Sequence, residues 1–295
     1  MLYTRDVNDE GKYQALKAQG DELELLLQSA EHSEQEKQER MMEYLELLNA
    51  ERAAEIGVDF SERMLERVAN ALEAHPTADL AVDQLYACLL VQQFHAMSCD
   101  LWRAHPAIVR SQNALVMLET DERWSDCLRY CQQTADTYAE ARWWPEAVAY
   151  AKRMHECVRQ LLAQGVTVLE NGELLDLRDS AFTVCSYAQN TAEGVSDALV
   201  EQLISDLGNE GWNSVAEELA EAKEEAVISD PVELTPEYLA IRYELEEKID
   251  DALEHERGYY DYCKEYWMAK RMILRSDYGI RWKSPAALNP TMEFH

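Results

Sequence analysis

The stretch DERWSDCLRYCQQTADTYAEARWWPEAVAYAKRMHEC, residues 121–157, carries two runs of apolar residues at helical spacing. Ser125 precedes the first run and is of a residue type favoured just before the first turn of a helix. Pro145 fits the first turn of a second helix that extends to about Leu162, since the N–H that proline lacks would be unpaired there. The stretch therefore predicts two amphipathic helices joined by a short turn.

This predicted helix pair resembles a tetratricopeptide hairpin. When Ala147 is set at the small-residue position of the second helix, Ala135 and Tyr138 fall on two first-helix positions of that pattern. The resemblance implies two helices that approach closely through small residues. No period near 34 residues recurs along the chain, as an array of such units would require. We therefore interpret the pair as a shared packing solution rather than as one unit of a solenoid.

The rest of the chain continues the helical pattern. Only 10 Gly and 7 Pro interrupt 295 residues, while Leu, Ala, Glu and Arg, all good helix formers, are abundant. One departure is VTVLENGELLDLR, where Asn171-Gly172 separates two partly apolar runs and is typical of a hairpin turn. We predict an all-α fold, with helical hairpins in a bundle or irregular array, and one small β-hairpin insertion near residues 166–178.

Composition and charge divide the chain into four predicted segments. They are an N-terminal acidic helical segment (1–58), a central helical core (59–165), a β-hairpin with an acidic helical region (166–230), and a long C-terminal helix with a tail packed on the body (231–295). Gly57 is interpreted as the C-cap that ends the first segment.

One long helix is predicted over residues 236–274. Lys248 and His255 interrupt its apolar face, so the seam is imperfect. Both packing of this face on the rest of the domain and a homodimer through the 236–274 helix remain open. The apolar positions recur every seven residues, as on a helix face that packs against a neighbour; they are Tyr238, Leu245, Ala252, Tyr259, Tyr266 and Ile273.

The net charge is −30, from 57 acidic and 27 basic side chains. Residues 1–80 carry 19 acidic and 8 basic side chains, net −11, and residues 171–230 carry 14 and 2, net −12. Such a field repels phosphate groups and favours basic partners, which argues against direct nucleic-acid binding. Solubility or adaptation to a salty cell would explain the same charge.

Residues 264–283 are an exception to the acidic character. Basic groups alternate there with aromatic ones, as in a groove on which nucleobases stack. The other interpretation, which we favour, is an internal counter-charge for the acidic lobes. The basic residues are Lys264, Lys270, Arg271, Arg275, Arg281 and Lys283, and the aromatic ones are Tyr266, Trp267, Tyr278 and Trp282.

The sequence contains neither the G-x-S-x-G motif of a serine nucleophile nor a glycine-rich phosphate loop. Two pairs of residues have the spacing of zinc ligands on a helix. His95 and Cys99 are four residues apart on one predicted helix, and Cys127 and Cys131 are four apart on another. If the two faces met, they would offer Cys3His, a tetrahedral zinc set. Because Cys127 and Cys131 fit equally well as small core residues, we predict no metal and no cofactor.

The seven cysteines are an odd number in a long chain, which is typical of buried free thiols in a reducing compartment. The first residues lack the apolar region of a signal peptide. No apolar run is long enough to span a membrane. We therefore expect a cytoplasmic location without membrane association.

We predict a non-enzymatic acidic helical interaction protein that binds and regulates a protein partner with a basic surface. The first alternative is a nucleic-acid-mimicking inhibitor of a basic DNA- or RNA-binding protein, for example from a phage or mobile element. The second is an enzyme with a site assembled from distant helices, around Trp143, Trp144, Tyr150 and His155. The candidate partner-binding residues are Glu217, Glu218, Glu221, Glu224, Glu225, Trp212, Trp143 and Trp144.

Overall fold

A computed structural model describes most of the chain as helix. The described ranges are 10–29, 32–98, 100–169, 171–223, 229–253 and 262–291. They contain thirteen α-helices and two short 3-10 helices but no strand, so the all-α prediction is confirmed. The chain divides into two compact units, residues 4–141 (the N-terminal unit) and residues 142–295 with 1–3 (the C-terminal unit). The four segments predicted from the sequence have other boundaries than these two units, and that division stays a prediction.

The N-terminal unit contains the first seven helices. They are α1 (Glu10–Gln28), α2 (Glu34–Ala50), α3 (Ala54–Ala74), α4 (Ala78–Met97), α5 (His105–Arg110), α6 (Gln112–Thr120) and α7 (Trp124–Glu140). Helices α3, α6 and α7 all pack against α4. Because α4 is apolar nearly all round, from Ala81 to Phe94, it forms the centre of this unit.

One polar network crosses this core. Gln92 is buried on α4, and its Nε2 donates to Thr134 Oγ1 of α7 at 3.1 Å. The Gln92 Oε1 accepts from Thr137 Oγ1 at 2.9 Å. The buried amide therefore has partners for both of its ends, which a polar group in a helical core requires.

The C-terminal unit contains the other six helices. They are α8 (Trp144–Ala163), α9 (Leu177–Ala188), α10 (Asp197–Lys223), α11 (Pro236–Leu253), α12 (Tyr262–Asp277) and α13 (Pro285–Leu288). Helix α9 packs against both α8 and α10, and α11 packs against α12. Helix α10 bends sharply at Gly208, whose φ of 71° is one that glycine adopts easily.

Two helix ends in the N-terminal unit use left-handed residues that are not glycine. Arg52 (φ 51°) follows α2 and Glu122 (φ 57°) follows α6. In each turn the next N–H reaches back to a helix carbonyl at 2.9 Å, from Ala53 to Leu48 and from Arg123 to Leu118. These bonds close the helix ends in the way that a Schellman motif does.

Three sequence-based expectations need correction. The β-hairpin predicted at 166–178 is a tight turn with a single antiparallel bridge, Val168 to Leu174, and the described part of that segment contains no strand. An isolated two-stranded ribbon is marginal in water, and Val168 and Leu174 are exposed here rather than packed.

The long helix predicted over 236–274 is two helices, α11 and α12, which pack against each other. Residues 254–261, which include Tyr259 and His255, lie outside the described residues. Packing α12 on α11 buries Leu245, Ile249 and Leu274 in one core, which one straight helix cannot do. This core uses apolar residues of the same face through which a homodimer was predicted as one alternative.

Gly57 is not a C-cap but lies in the first turn of α3, which begins at Ala54. A Cβ at this position would come within 2.2–2.5 Å of three ring atoms of Phe94. Glycine is therefore required here for the close approach of α3 and α4.

Candidate protein-binding site

An open groove of about 470 Å³ lies between α1 and α2. Its apolar lining comes from Leu23, Leu26, Tyr44 and Leu47, and its polar lining from Gln19, Glu22, Arg40 and Glu43. We call this feature the α1–α2 groove. Leu25, on the same turn of α1 as Leu26, is 70% exposed. The groove therefore combines apolar side chains with an acidic margin, near a leucine that the fold does not bury.

Tyr44 holds the two walls of the groove together. Its hydroxyl donates to the Leu16 carbonyl of α1 at 3.0 Å, and its ring meets Phe60 of α3 edge-on at 5.2 Å. Gly20 lets α1 approach this ring, since a Cβ there would lie 2.5 Å from the Tyr44 hydroxyl oxygen. Burial raises the pKa of Tyr44 to about 12, so the phenol remains a hydrogen-bond donor at neutral pH.

The region around the groove is acidic because its carboxylates outnumber its cations, and several of the nearby cations are paired. Residues 10–51 carry 11 acidic and 4 basic side chains, net −7. Arg40 donates to Glu43 at 3.1 Å within α2. Arg63 and Arg67 of α3 both bond the Glu24 carboxylate, each at 2.7 Å. Glu22 and Asp21 are exposed on α1, so the carboxylates outnumber the local positive charges.

Three of the five predicted acidic residues lie on the outer face of α10. Glu217, Glu218 and Glu221 are exposed, while Val215 and Leu219 of the same helix are buried against α9 and the first half of α10. Glu224 and Glu225 lie outside the described residues. The helix is therefore amphipathic, with its carboxylates directed to solvent.

The three predicted tryptophans mainly serve packing inside the C-terminal unit. Trp143 is buried, with the Arg242 guanidinium stacked 4.1 Å from its ring, and Arg242 also bonds Glu146. Trp144 is half-buried near the ring of Tyr187. Trp212 is half-buried against the α9–α10 core. These side chains leave a partner little apolar surface.

His155, which was considered for an enzyme site, links three helices of the C-terminal unit. It is buried on α8, with its Nδ1 2.8 Å from Ser180 Oγ on α9 and its Nε2 3.4 Å from Asp206 Oδ2 on α10. The neutral Nε2–H tautomer donates to Asp206 and places Nδ1 against the Ser180 hydroxyl, which also donates to the Leu177 carbonyl at 2.9 Å. Burial lowers the pKa of His155, and the Asp206 carboxylate opposes that effect only in part.

We expect the stability of the C-terminal unit to decrease as the pH falls through the ordinary histidine range, about 6.5. The pKa of His155 is lower in the folded chain than in the unfolded one, so the unfolded chain binds the proton first and acid favours unfolding. Urea unfolding of the wild type and of His155→Gln at several pH values tests this. The wild type should lose stability more steeply below neutral pH than the variant, and equal slopes would contradict the assignment.

The residues of the possible zinc set are only partly described. His95 is buried on α4, with its Nε2 3.7 Å from Glu62 Oε1. Cys127 and Cys131 are buried on α7. Cys99 lies outside the described residues. Within the described ranges, no three His, Cys, Asp or Glu side chains form a group that would hold a metal ion.

The basic and aromatic stretch 264–283 is divided between the inside and the outside of the unit. Lys270 is buried, and its Nζ lies 3.1 Å from Glu233 Oε1 and within 5.0–5.7 Å of the rings of Tyr238, Tyr266 and Trp282. We call these five residues the Lys270 cage. Burial alone would lower the pKa of Lys270, but the surrounding phenol and carboxylate oxygens outweigh it and hold the pKa well above its usual value.

Comparison of the chain with protein-family models, curated proteins and solved structures found no match. None of the helices in the described ranges has the length and hydropathy that crossing a bilayer requires.

The α1–α2 groove was not predicted from the sequence. The signal that was present is the contrast between LELLL at residues 23–27 and the apolar-free HSEQEKQER at residues 32–40.

Proposed function

We propose that this chain is a non-enzymatic helical interaction protein that binds and regulates a protein partner with a basic surface, through the α1–α2 groove. The single observation that carries the proposal is the combination of an apolar lining, Leu23, Leu26 and Leu47, with a carboxylate margin at Glu22 and Glu43. Apolar contact supplies affinity, and the margin selects a partner of opposite charge.

The matching partner is an amphipathic helix with lysine or arginine beside its apolar face. Such a helix lays side chains spaced three and four residues apart into a groove between two helices. Its cations would meet Glu22 and would compete with Arg40 for Glu43, and its apolar side chains would cover Leu26 and the exposed Leu25. Since rim charges mainly speed association, binding should weaken as salt is raised.

We place this activity in the cytoplasm. Five of the six described cysteines are buried, and they are free thiols. Burial raises the pKa of Cys88 above its ordinary range and that of Cys185 to about 11, so both thiols stay protonated and unreactive. Thiols of this kind suit a reducing compartment.

A recovery experiment with two matched variants tests the proposal. The tagged chain is used to capture partners from the cell that encodes it, at low and high salt, with identification by mass spectrometry. Leu26→Asp replaces an apolar residue in the groove. Val116→Asp makes the same change on α6, where Val116 is 50% exposed and outside the groove.

We expect a protein with a basic helix to be recovered by the wild type and by Val116→Asp at low salt. It should be lost with Leu26→Asp, and largely lost at high salt. Equal recovery by all three chains would contradict the groove. Recovery of nothing but a small molecule would favour the enzyme alternative.

Nucleic-acid mimicry remains a second candidate, favoured by the outer face of α10. Glu210, Glu217 and Glu221 fall on one stripe of the helix and are all exposed. With a rise of about 1.5 Å per residue, Glu217 and Glu221 are separated by about 6 Å along the axis, so carboxylates follow one another along this stripe as charges do along a nucleic-acid strand. If this face binds the partner, Glu217→Gln with Glu221→Gln abolishes recovery and Leu26→Asp does not.

A further inference from the structure

The outer face of α12 is basic and carries methionine, in a chain of net charge −30. The five residues of this face occupy positions i, i+4, i+7, i+8 and i+11, which form one stripe of a helix. All five are exposed, and Met268 and Met272 are 46% and 67% exposed. We call them the α12 basic face; they are Lys264, Met268, Arg271, Met272 and Arg275.

The opposite side of α12 already has its partners. Lys270 and Leu274 are buried there, and Tyr266, Trp267 and Ile273 pack against the core of α11 and α12. The aromatic rings of the 264–283 stretch therefore lie on a different face from the exposed cations. A surface on which nucleobases stack needs rings beside the cations, so the α12 basic face is not built for single-stranded nucleic acid.

Arg271 and Arg275 are available to an external carboxylate. Neither has an ion pair with another described residue. Met268 and Met272 lie beside them, along one edge of the same stripe, and methionine is a flexible, polarisable side chain that adapts to different apolar surfaces. The face thus offers two guanidinium groups, which bind carboxylates in a bidentate manner, next to an apolar strip.

We propose that the α12 basic face is a second docking surface, which binds an acidic amphipathic helix of a partner protein. The occupant is inferred from charge complementarity: Arg271 and Arg275 would pair with carboxylates, and Met268 and Met272 would cover apolar side chains. The partner has the opposite charge from the one proposed for the α1–α2 groove, so the two proposals are tested separately.

Fluorescence anisotropy with a labelled synthetic helix tests this proposal. The probe is an 18-residue peptide with leucine on one face and glutamate on the other, and a second peptide of the same composition lacks the apolar face. The test variant is Arg271→Glu with Arg275→Glu. The control is Arg281→Glu with Lys283→Glu, which makes the same charge change at two exposed cations of the C-terminal tail.

We expect the amphipathic probe to bind the wild type and the control with similar Kd. It should bind the test variant about tenfold more weakly or not at all, which corresponds to a loss of about 1.4 kcal/mol or more of binding free energy. Met268→Ser with Met272→Ser should also weaken binding, while the second peptide, which lacks the apolar face, should bind poorly to every chain.

Equal binding of both peptides, or equal loss in test and control variants, would overturn the proposal. Two other outcomes would also overturn it: self-association of the chain that the test variant abolishes, and tighter binding of a single-stranded oligonucleotide at this face.

Discussion

Replacing Glu233 by alanine is expected to lower the free energy of unfolding of the C-terminal unit by about 3–5 kcal/mol. Glu233 Oε1 accepts from Lys270 Nζ at 3.1 Å and from Trp282 Nε1 at 2.7 Å. Its removal leaves a buried ammonium without its carboxylate and a buried indole N–H without its acceptor. Denaturant unfolding followed by tryptophan fluorescence measures the loss, because Trp282 lies in the affected core.

Two further variants separate charge from packing in this prediction. Glu233→Gln keeps an oxygen for Trp282 and removes only the charge, so its cost should be smaller than that of Glu233→Ala. Lys270→Met combined with Glu233→Gln removes the stranded charge and should recover much of the stability, since apolar replacement of a buried ion pair is often neutral. A double variant as unstable as Glu233→Ala would show that the cage depends on its aromatic packing and not on the ion pair.

Gly57→Ala is expected to destabilise the N-terminal unit by about 2–3 kcal/mol, although alanine is the better helix former. The new methyl group would lie within 2.2–2.5 Å of the Phe94 ring. Phe94 is fully buried on α4, within the core cluster of this unit, so a shift of its ring would disturb other core side chains. The strain therefore separates α3 from α4, whose contact is central to this unit.

A double variant tests the cause of this loss. Phe94→Leu alone removes ring atoms from the core and should be destabilising. Gly57→Ala added to Phe94→Leu should cost much less than it does in the wild type, because the ring atoms that it meets are gone. Denaturant unfolding of the four chains gives the coupling energy. Additive losses would show that the close approach at Gly57 is not the cause.

Periodicity in the sequence was sufficient to predict the helical class but not where each helix ends. Arg52 and Glu122 end their helices in a left-handed conformation that normally indicates glycine, so neither end carries the usual signal. Gly57, which has that signal, is used instead for close packing with Phe94. A glycine serves either purpose, and only the position of the neighbouring helix distinguishes them.

The candidate sites could be predicted from the sequence only in part. The seven-residue repeat from Tyr238 to Ile273 has the same pattern in one long helix as in two helices that pack together, so it did not distinguish them. The 264–283 stretch contains both buried and exposed cations. Lys270 is buried because it packs against Glu233, whereas Arg271 is exposed. The α1–α2 groove depends on how Tyr44 meets Leu16 and Gly20, a tertiary contact that no local pattern encodes.

The most direct test of the proposed function is hydrogen–deuterium exchange of the full chain with and without a basic amphipathic peptide built from leucine and lysine. The α1–α2 groove predicts slower exchange in α1 and α2 when the peptide is present, and no such change in Leu26→Asp. Protection that is absent from α1 and α2, or that is equally strong in the acidic helix α10, would contradict the account.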